Sequence, residues 1–314
     1  NVKTAIPLSS GVDSNYLLKN FKKNKNLICY SLKNYENDNE SDVIKNKIIK
    51  KYKISHRFVD CKKFSTKNKI NNFIKMLDYP IRSFQPIYQY LLREYAKKDK
   101  VKILLSGDGA DEVFGGYKYA VPYRVSSLIL DNQLSKAKKF CNEMEEFTGQ
   151  KAKVLFLHGK KLSKKKMTLK KFLKKRILKT HIPYWLYIDD FLSMKHSIEN
   201  RVPYLDSKLI DHVFQWKEDY FFKNGKNKYL LRKHQKFKTV SKQKFHKPGN
   251  YSFVYSILSK DIKKVLVNKF FSTHKQLKNM INNYTRDLYS KNQKNADLWF
   301  RVYLFSKWRY YKKI

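Results

Sequence analysis

The sequence is poor in cysteine and has no long apolar run. Its 314 residues include three cysteines, Cys29, Cys61 and Cys141, whose spacing fits neither a zinc module nor a disulfide scaffold. Apolar stretches such as Ile103-Leu104-Leu105 fall far short of the roughly 18 residues that cross a bilayer. The first residues lack the pattern of a signal peptide. We therefore exclude a disulfide-rich secreted protein and a transmembrane protein, and we expect a cytoplasmic location.

Glycine and proline are also scarce, with nine and seven residues. No Gly-, Ser- or Pro-rich linker divides the chain, and a hydrophobic content of 42% is enough to bury a large core. The chain begins Asn1-Val2-Lys3, without a methionine, and runs directly into strand-like sequence. We therefore expect one compact unit that is cut from a longer protein.

Acidic residues are rare beside basic ones, at 26 against 69, which gives a net charge of +43. One interpretation is a polyanionic partner such as nucleic acid, because Lys and Arg neutralise phosphates. The other is compositional drift, since Lys, Asn, Ile, Tyr and Phe are all abundant. Arginine, which recognises nucleic acid through its bidentate fork, supplies only ten of the 69 basic residues. Compositional drift is therefore favoured over a nucleic-acid partner.

Short apolar runs alternate with helical patterns in the first hundred residues. The runs at 4–8, 27–32, 55–61 and 101–105 are typical of strands. Helical patterns fall at 15–21, 42–53 and 86–98. This alternation predicts an α/β fold with a parallel sheet and right-handed crossovers, in which ligands bind at the carboxyl ends of the strands.

Strand signals disappear from about Tyr117. Lys-rich helical patterns follow at 169–180, 251–268 and 298–308. We therefore expect a nucleotide-binding α/β core over residues 1–120 and a mostly helical part over 121–314 that packs on it.

The segment 8–14, LSSGVDS, lies between the first strand and the first helix. A turn of small residues there lets backbone N–H groups face an anion, and the helix N-terminus adds partial positive charge. Asp13 in such a loop contacts magnesium or caps the loop. An ordinary βα turn with capping residues remains the alternative.

The segment 105–117, LSGDGADEVFGGY, follows the fourth strand. It holds four of the chain's nine glycines together with three carboxylates, Asp108, Asp111 and Glu112. Glycines permit close approach of the backbone to a ligand, and carboxylates beside a phosphate site bind the magnesium that neutralises it. The pattern therefore predicts a ligand-binding loop rather than a surface turn.

Four segments together resemble a known family. Segment 8–14 is similar to the SGGxDS pyrophosphate loop of the N-type ATP pyrophosphatases, the PP-loop superfamily. Segment 105–117 resembles the SG(D/E)G(A/G)DE(L/V)FGGY signature of the glutamine-hydrolysing asparagine synthetases, in their C-terminal synthetase domain. Residues 193–206, SMKHSIENRVPYLD, and 228–232, KYLLR, resemble two further elements of that family. Weaker likenesses are Asp78-Tyr79-Pro80 and the C-terminal helix, so the resemblance spans nearly the whole chain.

The resemblance implies a fold and a set of ligand contacts. The fold is an adenine-nucleotide α-hydrolase-like, doubly wound parallel sheet of about five strands with a helical C-terminal continuation. Asp13 and Asp111 would bind Mg²⁺, and Lys228 would reach the phosphates. The remaining ATP contacts are the pyrophosphate loop (Ser9, Ser10, Gly11, Ser14), the adenine side (Leu8, Ser31, Leu32) and the ribose side (Ser106, Gly107).

The resemblance also implies catalytic and substrate-binding residues. Asp108, Asp111 and Lys228 would be catalytic, with Asp108 near the acyl-adenylate and the incoming ammonia. The acyl substrate, aspartate or a similar carboxylate, would contact Glu199, Arg201, Asp206 and Arg232. Ammonia would come from glutamine through a fused or partner glutaminase domain, whose leading cysteine this sequence does not include. A homodimer is among the expected assemblies.

Several positions depart from the family pattern. Ser10 replaces a loop glycine, Pro7 lies inside the first strand, and Tyr79 replaces a Glu. Lys195 and Asn200 stand in the third motif where small or apolar residues are commoner. We still expect the protein to use ATP, but these differences leave the identity of the acyl substrate open.

Three other hypotheses stay open from sequence. A related enzyme would amidate another carboxylate, such as a sugar acid of a surface polysaccharide or a peptide. An RNA-modifying PP-loop pyrophosphatase would share segment 8–14 but not segments 105–117 and 193–206. A non-catalytic relative would bind ATP without turnover, as Ser10 could indicate.

Overall fold

The computed structural model describes residues 2–33, 39–60, 67–83, 85–234 and 296–313. A five-stranded parallel sheet with order β3-β2-β1-β4-β5 forms its centre. The strands are β1 (Thr4–Pro7), β2 (Leu27–Lys33), β3 (Ser55–Asp60), β4 (Ile103–Leu105) and β5 (Glu199–Arg201). A small antiparallel hairpin, β6 (Phe222–Lys223) and β7 (Lys226–Asn227), lies outside this sheet.

Helices connect the strands and continue after β4. In the first part they are α1 (Val12–Phe21), α2 (Asn39–Val43), a π-helical segment Ile44–Ile49, α3 (Lys50–Tyr52), α4 (Lys67–Met76), α5 (Gln85–Lys98) and α6 (Ala110–Phe114). Next come α7 (Val121–Leu130), α8 (Leu134–Glu143), α9 (Glu145–Thr148), α10 (Ala152–Lys164), α11 (Leu169–Lys175), a π-helical segment Arg176–Thr180 and α12 (Ile182–Met194). The last are α13 (Ser207–Gln215), α14 (Tyr229–His234) and α15 (Ala296–Lys312). Among the described residues, no helix has both the length and the apolar character that a bilayer crossing requires.

Successive residues of a strand belong to two different cores, which lie on opposite faces of the sheet. Ala5 and Tyr30 belong to the core beneath α4, α5, α12 and α15. Their neighbours Ile6 and Cys29 belong to the core beneath α1 and α6 to α11. Side chains alternate between the faces of a strand, and both faces are covered. Near-continuous apolar strands are the expected sequence for such a sheet.

The predicted parallel α/β fold is confirmed, with adjusted boundaries. The four predicted strands correspond to β1 to β4, and Pro7 ends β1, where the ladder resumes with Leu8 N–H donating to the Tyr30 carbonyl at 2.7 Å. The helix predicted at 42–53 begins at Asn39 and contains a π-helical segment. The pattern at 298–308 lies inside α15, whereas 251–268 falls outside the described residues.

The fifth strand lies after Tyr117, where the sequence shows no strand signal, and it gives the sheet the five strands that the family resemblance implies. β5 completes the sheet by pairing in parallel with β4, and β6 and β7 form the hairpin. β5 reads Glu-Asn-Arg and has an exposed edge, so it carries none of the apolar signal that marks a buried strand. Backbone pairing to β4, which hydrophobic periodicity does not detect, determines this strand.

The strand order reverses at β1. From β1 the chain moves outward through β2 to β3, then returns to β4 on the other side of β1. The loops that leave β1 and β4 therefore diverge around a crevice at the carboxyl ends of the strands, where open α/β sheets bind ligands. These two loops are the Gly-Ser segment 8–14 and the acidic segment 105–117.

A glycine sets the contact between α7 and α10. A Cβ placed on Gly159 would lie 2.3 Å from Val125 Cγ1 and 3.2 Å from the Pro122 carbonyl oxygen. We predict that Gly159→Ala lowers the free energy of unfolding by up to about 2 kcal/mol, because the cost of overpacking, about 1–3 kcal/mol, is offset by a gain of about 1 kcal/mol in helix propensity. Denaturant unfolding of the variant checks this.

Val125→Ala provides the control background, since it removes the Cγ1 atom that the new Cβ would meet at 2.3 Å but keeps the Val125 Cβ at 2.6 Å. In that background Gly159→Ala should lower the free energy of unfolding by less than it does in wild type. An equal loss of stability in both backgrounds would show that the Val125 contact is not the cause.

Candidate active site

The loops after β1 and β4 touch each other. A Cβ placed on Gly107 would lie 3.3 Å from the Asp13 Cβ, so the acidic segment packs directly against the start of α1. The Tyr204 hydroxyl adds a third segment by donating to the Asp13 carbonyl at 2.8 Å. Sequence reasoning placed the two loops at one edge of the sheet, and the structure brings them into contact.

Lys228 joins the two carboxylates on which the predicted metal site depends. Its Nζ lies 2.6 Å from both Asp13 carboxylate oxygens and 2.5 Å from Asp111 Oδ1. The Lys228 side chain is buried, at 4% exposed. Burial alone would lower the pKa of Lys228, but the Asp111 and Asp13 carboxylates outweigh it and raise that pKa. The ammonium is therefore a permanent positive charge between two acids.

The hairpin and a glycine fix this arrangement. Asn227, the last residue of β7, donates to the Gly116 carbonyl at 2.6 Å and holds Lys228 against the acidic segment. A Cβ on Gly116 would lie 1.6 Å from Asp111 Oδ1 and 2.3 Å from Lys228 Cε. Because no side chain fits there, glycine is required for the ammonium to reach both carboxylates.

Hydroxyl groups organise the loop after β1. Ser14 Oγ accepts from the Ser9 amide and lies 3.1 Å from Ser9 Oγ, which in turn accepts from the Gly11 amide. The Ser10 amide and hydroxyl both donate to Glu40 Oε1 at 2.9 Å. The serine that replaces a family glycine thus gains a partner on α2. In this arrangement the Ser10 amide faces Glu40 rather than the crevice.

The predicted adenine side lies at the ends of β1 and β2. Buried Ser31 donates to the Leu8 carbonyl at 2.6 Å, and its Oγ lies 2.8 Å from His56 Nε2. Burial lowers the pKa of His56 to about 4, so this imidazole is neutral near pH 7. Leu32 is partly buried and packs on the core beneath α4 and α5. The polar contacts therefore lock the strand ends together.

The predicted catalytic Asp108 stands on the loop after β4. Buried Ser106 donates its hydroxyl to Asp108 Oδ2, and the Ser106 amide donates to the Arg201 carbonyl at 2.9 Å. Arg93 on α5 binds the buried carboxyl of Asp189 on α12 at 3.0 Å, and burial together with the Asp108 carboxylate raises the pKa of Asp189. Sequence reasoning missed Arg93 and Asp189. The available signal was an acidic pair inside the otherwise apolar pattern of α12.

The four predicted substrate-binding side chains make other contacts. Glu199 and Arg201 pair with each other at 2.8 Å and are more than half exposed, at 57% and 54%. The Arg201 hydrogen bond lowers the pKa of Glu199. Asp206 caps α13 by accepting from the Leu209 amide at 3.0 Å. Their role in binding a substrate stays a prediction.

Arg232 supports the hairpin. Its guanidinium donates to the Asn227 carbonyl at 2.8 Å and to Asn227 Oδ1 at 2.9 Å. Burial lowers the pKa of Arg232, and the nearby Asp13 carboxylate opposes that shift. Arg232 therefore orders the residue that precedes Lys228 and adds positive potential at Asp13.

The donor set fits a magnesium ion that is shared with phosphates. The carboxylates of Asp13 and Asp111 converge on one point, and the Lys228 ammonium lies at that point. Within the described ranges no group of three or more His, Cys, Asp or Glu side chains could hold a metal by itself. Mg²⁺ is commonly bound by one or two carboxylates together with substrate phosphates and water. A pair of converging acids beside an anion-binding turn is that type of site.

Comparison with known proteins agrees with this geometry. The Asparagine synthase family model matches residues 1–304. The chain is 26% identical over 208 residues to asparagine synthetase (glutamine-hydrolyzing) 1 of Bacillus subtilis (strain 168). That match covers 53% of this chain and 33% of the relative, so the chain spans about a third of the protein it resembles. Because the family match includes every segment of the site described above, the chain belongs to the asparagine synthase family.

Proposed function

We propose that this protein is an ATP-dependent amide ligase that activates a carboxylate, foremost the side chain of aspartate, as an acyl-adenylate. Ammonia then displaces AMP, which gives asparagine. The observation that carries the proposal is the Asp13–Lys228–Asp111 cluster at the point where the strand order reverses. Family membership over residues 1–304 supports it.

The first step needs stabilisation of charge on the departing pyrophosphate. Asp13 and Asp111 would hold Mg²⁺, which supplies Lewis-acid neutralisation of the phosphate oxygens when bound. Lys228 sits where its ammonium can turn from the two carboxylates to a phosphate oxygen. The small residues of the first loop, together with the N-terminus of α1, supply N–H dipoles for the same anion.

The second step needs a proton acceptor near the acyl carbon. Asp108 is half-buried at the carboxyl end of β4, three residues before Asp111. This position supports Asp108 as the acceptor of the surplus proton from the ammonia adduct. Glutamine would be the ammonia source, through a fused or partner glutaminase domain.

A second candidate function changes only the acyl substrate. Glu199 and Arg201 neutralise each other on the exposed edge strand, and Asp206 caps a helix. The side chains expected to recognise aspartate are thus not gathered at the Lys228 cluster. This observation favours keeping a related amidotransferase, acting on a sugar acid or a peptide carboxylate, as the alternative.

We predict that Asp111→Asn abolishes release of pyrophosphate while the protein stays folded. Lys228 keeps both Asp13 oxygens at 2.6 Å, so the buried ammonium is not left unpaired, but one metal ligand is lost. The control is Asp131→Asn, which makes the same change at an exposed Asp that follows α7. Full pyrophosphate release by the Asp111 variant would contradict the assignment.

We predict that Asp108→Asn separates the two half-reactions. Pyrophosphate release should persist, because Asp108 is not among the predicted metal ligands. Amide formation should fall by about 100-fold or more, the usual contribution of a general base. The ratio of amide to pyrophosphate measures this, and equal loss of both products would disprove a role confined to the second step.

The acyl substrate can be identified by screening. Pyrophosphate release should depend on an added carboxylate, with aspartate giving the highest rate if asparagine is the product. A higher rate with a sugar acid or a peptide carboxylate would select the second candidate function. If no carboxylate causes release of pyrophosphate in the presence of Mg²⁺ and ATP, both candidate functions are contradicted.

A further inference from the structure

Two adjacent acids of α6 point in different directions. The Asp111 side chain is 22% exposed and lies at the crevice, where it pairs with Lys228. The Glu112 side chain is only 2% exposed and contacts the π-helical segment Arg176–Thr180 instead. Neighbouring residues of an α-helix project about 100° apart, so the rotation of α6 decides which acid reaches the crevice. A helix of five residues has little stability of its own, and the side chains around it therefore set this rotation.

A cation and a phenol hold the Glu112 carboxylate. The Tyr117 hydroxyl donates to Glu112 Oε1, and Arg176 Nε lies 3.5 Å from the same oxygen. At that separation the Arg176 contact is an ion pair rather than a hydrogen bond. His181 Nε2 approaches Glu112 Oε1 at 3.7 Å. Among the described residues, Arg176 and His181 are the basic groups that reach Glu112, and arginine is the one that is always charged.

Aromatic rings hold the guanidinium of Arg176 in place. Its Cζ lies 4.4 Å from the centroid of the Tyr117 ring and 5.3 Å from that of the Tyr119 ring. The two tyrosine rings stack on each other at 4.7 Å. A planar guanidinium stacks on such rings in a way that a lysine ammonium cannot reproduce. Because only ten of the 69 basic residues are arginine, composition alone would favour lysine at this position.

The π-helical turn brings two basic side chains to the same acid. The His181 amide donates to the Arg176 carbonyl at 3.1 Å, which is an i→i+5 hydrogen bond. In an α-helix, residues five apart point about 140° away from each other. Here both side chains reach Glu112 Oε1. Single π-helical turns are frequent at functional sites, and this one connects the helical part of the chain to the acidic segment.

We propose that Arg176 is a positioning residue that keeps Glu112 turned away from the crevice, so that Asp111 is the acid of this pair that binds magnesium. The inference rests on the proposed function for the identity of the ligand. The arrangement of Arg176, Glu112 and Tyr117 rests on their contacts alone. Without the guanidinium, the buried Glu112 carboxylate would lose its permanent cation beside the Asp111 carboxylate. A movement of α6 that brings Glu112 to water would displace Asp111 from the crevice.

Titration calorimetry with ATP and Mg²⁺ tests the positioning role without turnover. Arg176→Gln should bind ATP and Mg²⁺ at least about tenfold more weakly than wild type, because a buried ion pair has lost one partner. Glu112→Gln should bind as wild type does, since its carbonyl can still accept from Tyr117 and Glu112 is not a ligand. Adding Glu112→Gln to Arg176→Gln should restore most of the lost affinity, because no buried carboxylate then lacks a cation.

Two results of this titration would overturn the proposal. One is weak binding by Glu112→Gln, and the other is undiminished binding by a folded Arg176→Gln variant. If Arg176→Gln does not fold, Glu112→Gln and the double variant carry the test.

Arg57→Gln is the matched control for the loss of one positive charge. Arg57 of β3 pairs with Asp99 at 3.0 Å. Asp99 immediately follows α5 and precedes β4, so this ion pair lies away from the carboxyl end of β4. The control should bind ATP and Mg²⁺ as wild type does. An equal loss of affinity in Arg57→Gln and Arg176→Gln would reveal a general effect of charge on an anionic ligand and would overturn the positioning role.

The magnesium dependence of pyrophosphate release separates positioning from a general loss of stability. Arg176→Gln should raise the Mg²⁺ concentration that gives half of the maximal rate, and excess Mg²⁺ should restore the rate. The ratio of amide to pyrophosphate should not change, because Asp108 keeps its place. A variant that is merely less stable would lose rate equally at every Mg²⁺ concentration, and that result would overturn the role.

Denaturant unfolding decides the contact itself when no ligand is present. Arg176→Gln should lower the midpoint of unfolding, and Glu112→Gln should raise it again in that background. Additive losses from the two changes would show that the side chains are not coupled and would overturn the inference. If wild type binds no ATP, the proposed function fails together with the magnesium role, and this cycle still decides whether Arg176 holds Glu112.

Discussion

One buried ammonium group determines how the site is built. Lys228 lies within 2.6 Å of Asp13 and Asp111, which come from loops nearly one hundred residues apart in sequence. Without a cation between them, these two acids would repel each other in a partly desolvated crevice. The hairpin, Asn227 and the absence of a side chain on Gly116 all keep the ammonium in place. The proposed binding of Mg²⁺ and ATP depends on this arrangement of two acids around one ammonium.

Much of the site could be predicted because it depends on local sequence and on one topological rule. Gly-Ser and Gly-Asp turns follow apolar strands, and parallel strands bring their carboxyl ends to one edge. Asp13 and Asp111 therefore had to be close if both strands were adjacent, as β1 and β4 are. Lys228 came only from family resemblance, since a lysine in a Lys-rich chain carries no signal of its own.

The remaining features depend on tertiary packing. Arg93 and Asp189 meet because α5 and α12 pack on the same face of the sheet, which no spacing in the sequence encodes. β5 exists because β4 offers it a backbone edge, although its residues are polar. The contact of Ser10 with Glu40 explains a departure from the family pattern that looked unfavourable from sequence. Asp206 matches the family pattern, and the structure shows that its side chain caps a helix.

The large positive charge and the acidic site are compatible. Lysines of α10 and α11 are mostly exposed, whereas Asp189 and Glu112 are buried behind the crevice and Asp108 and Asp111 are partly buried at it.

The central claim is that Asp13, Asp111 and Lys228 bind ATP together with magnesium. Titration calorimetry of the wild-type protein with ATP, in the presence of Mg²⁺ and then with a chelator, tests this most directly. The account predicts binding with Mg²⁺ and at least about tenfold weaker binding without it, a difference of about 1.4 kcal/mol; equal affinity under both conditions would contradict it.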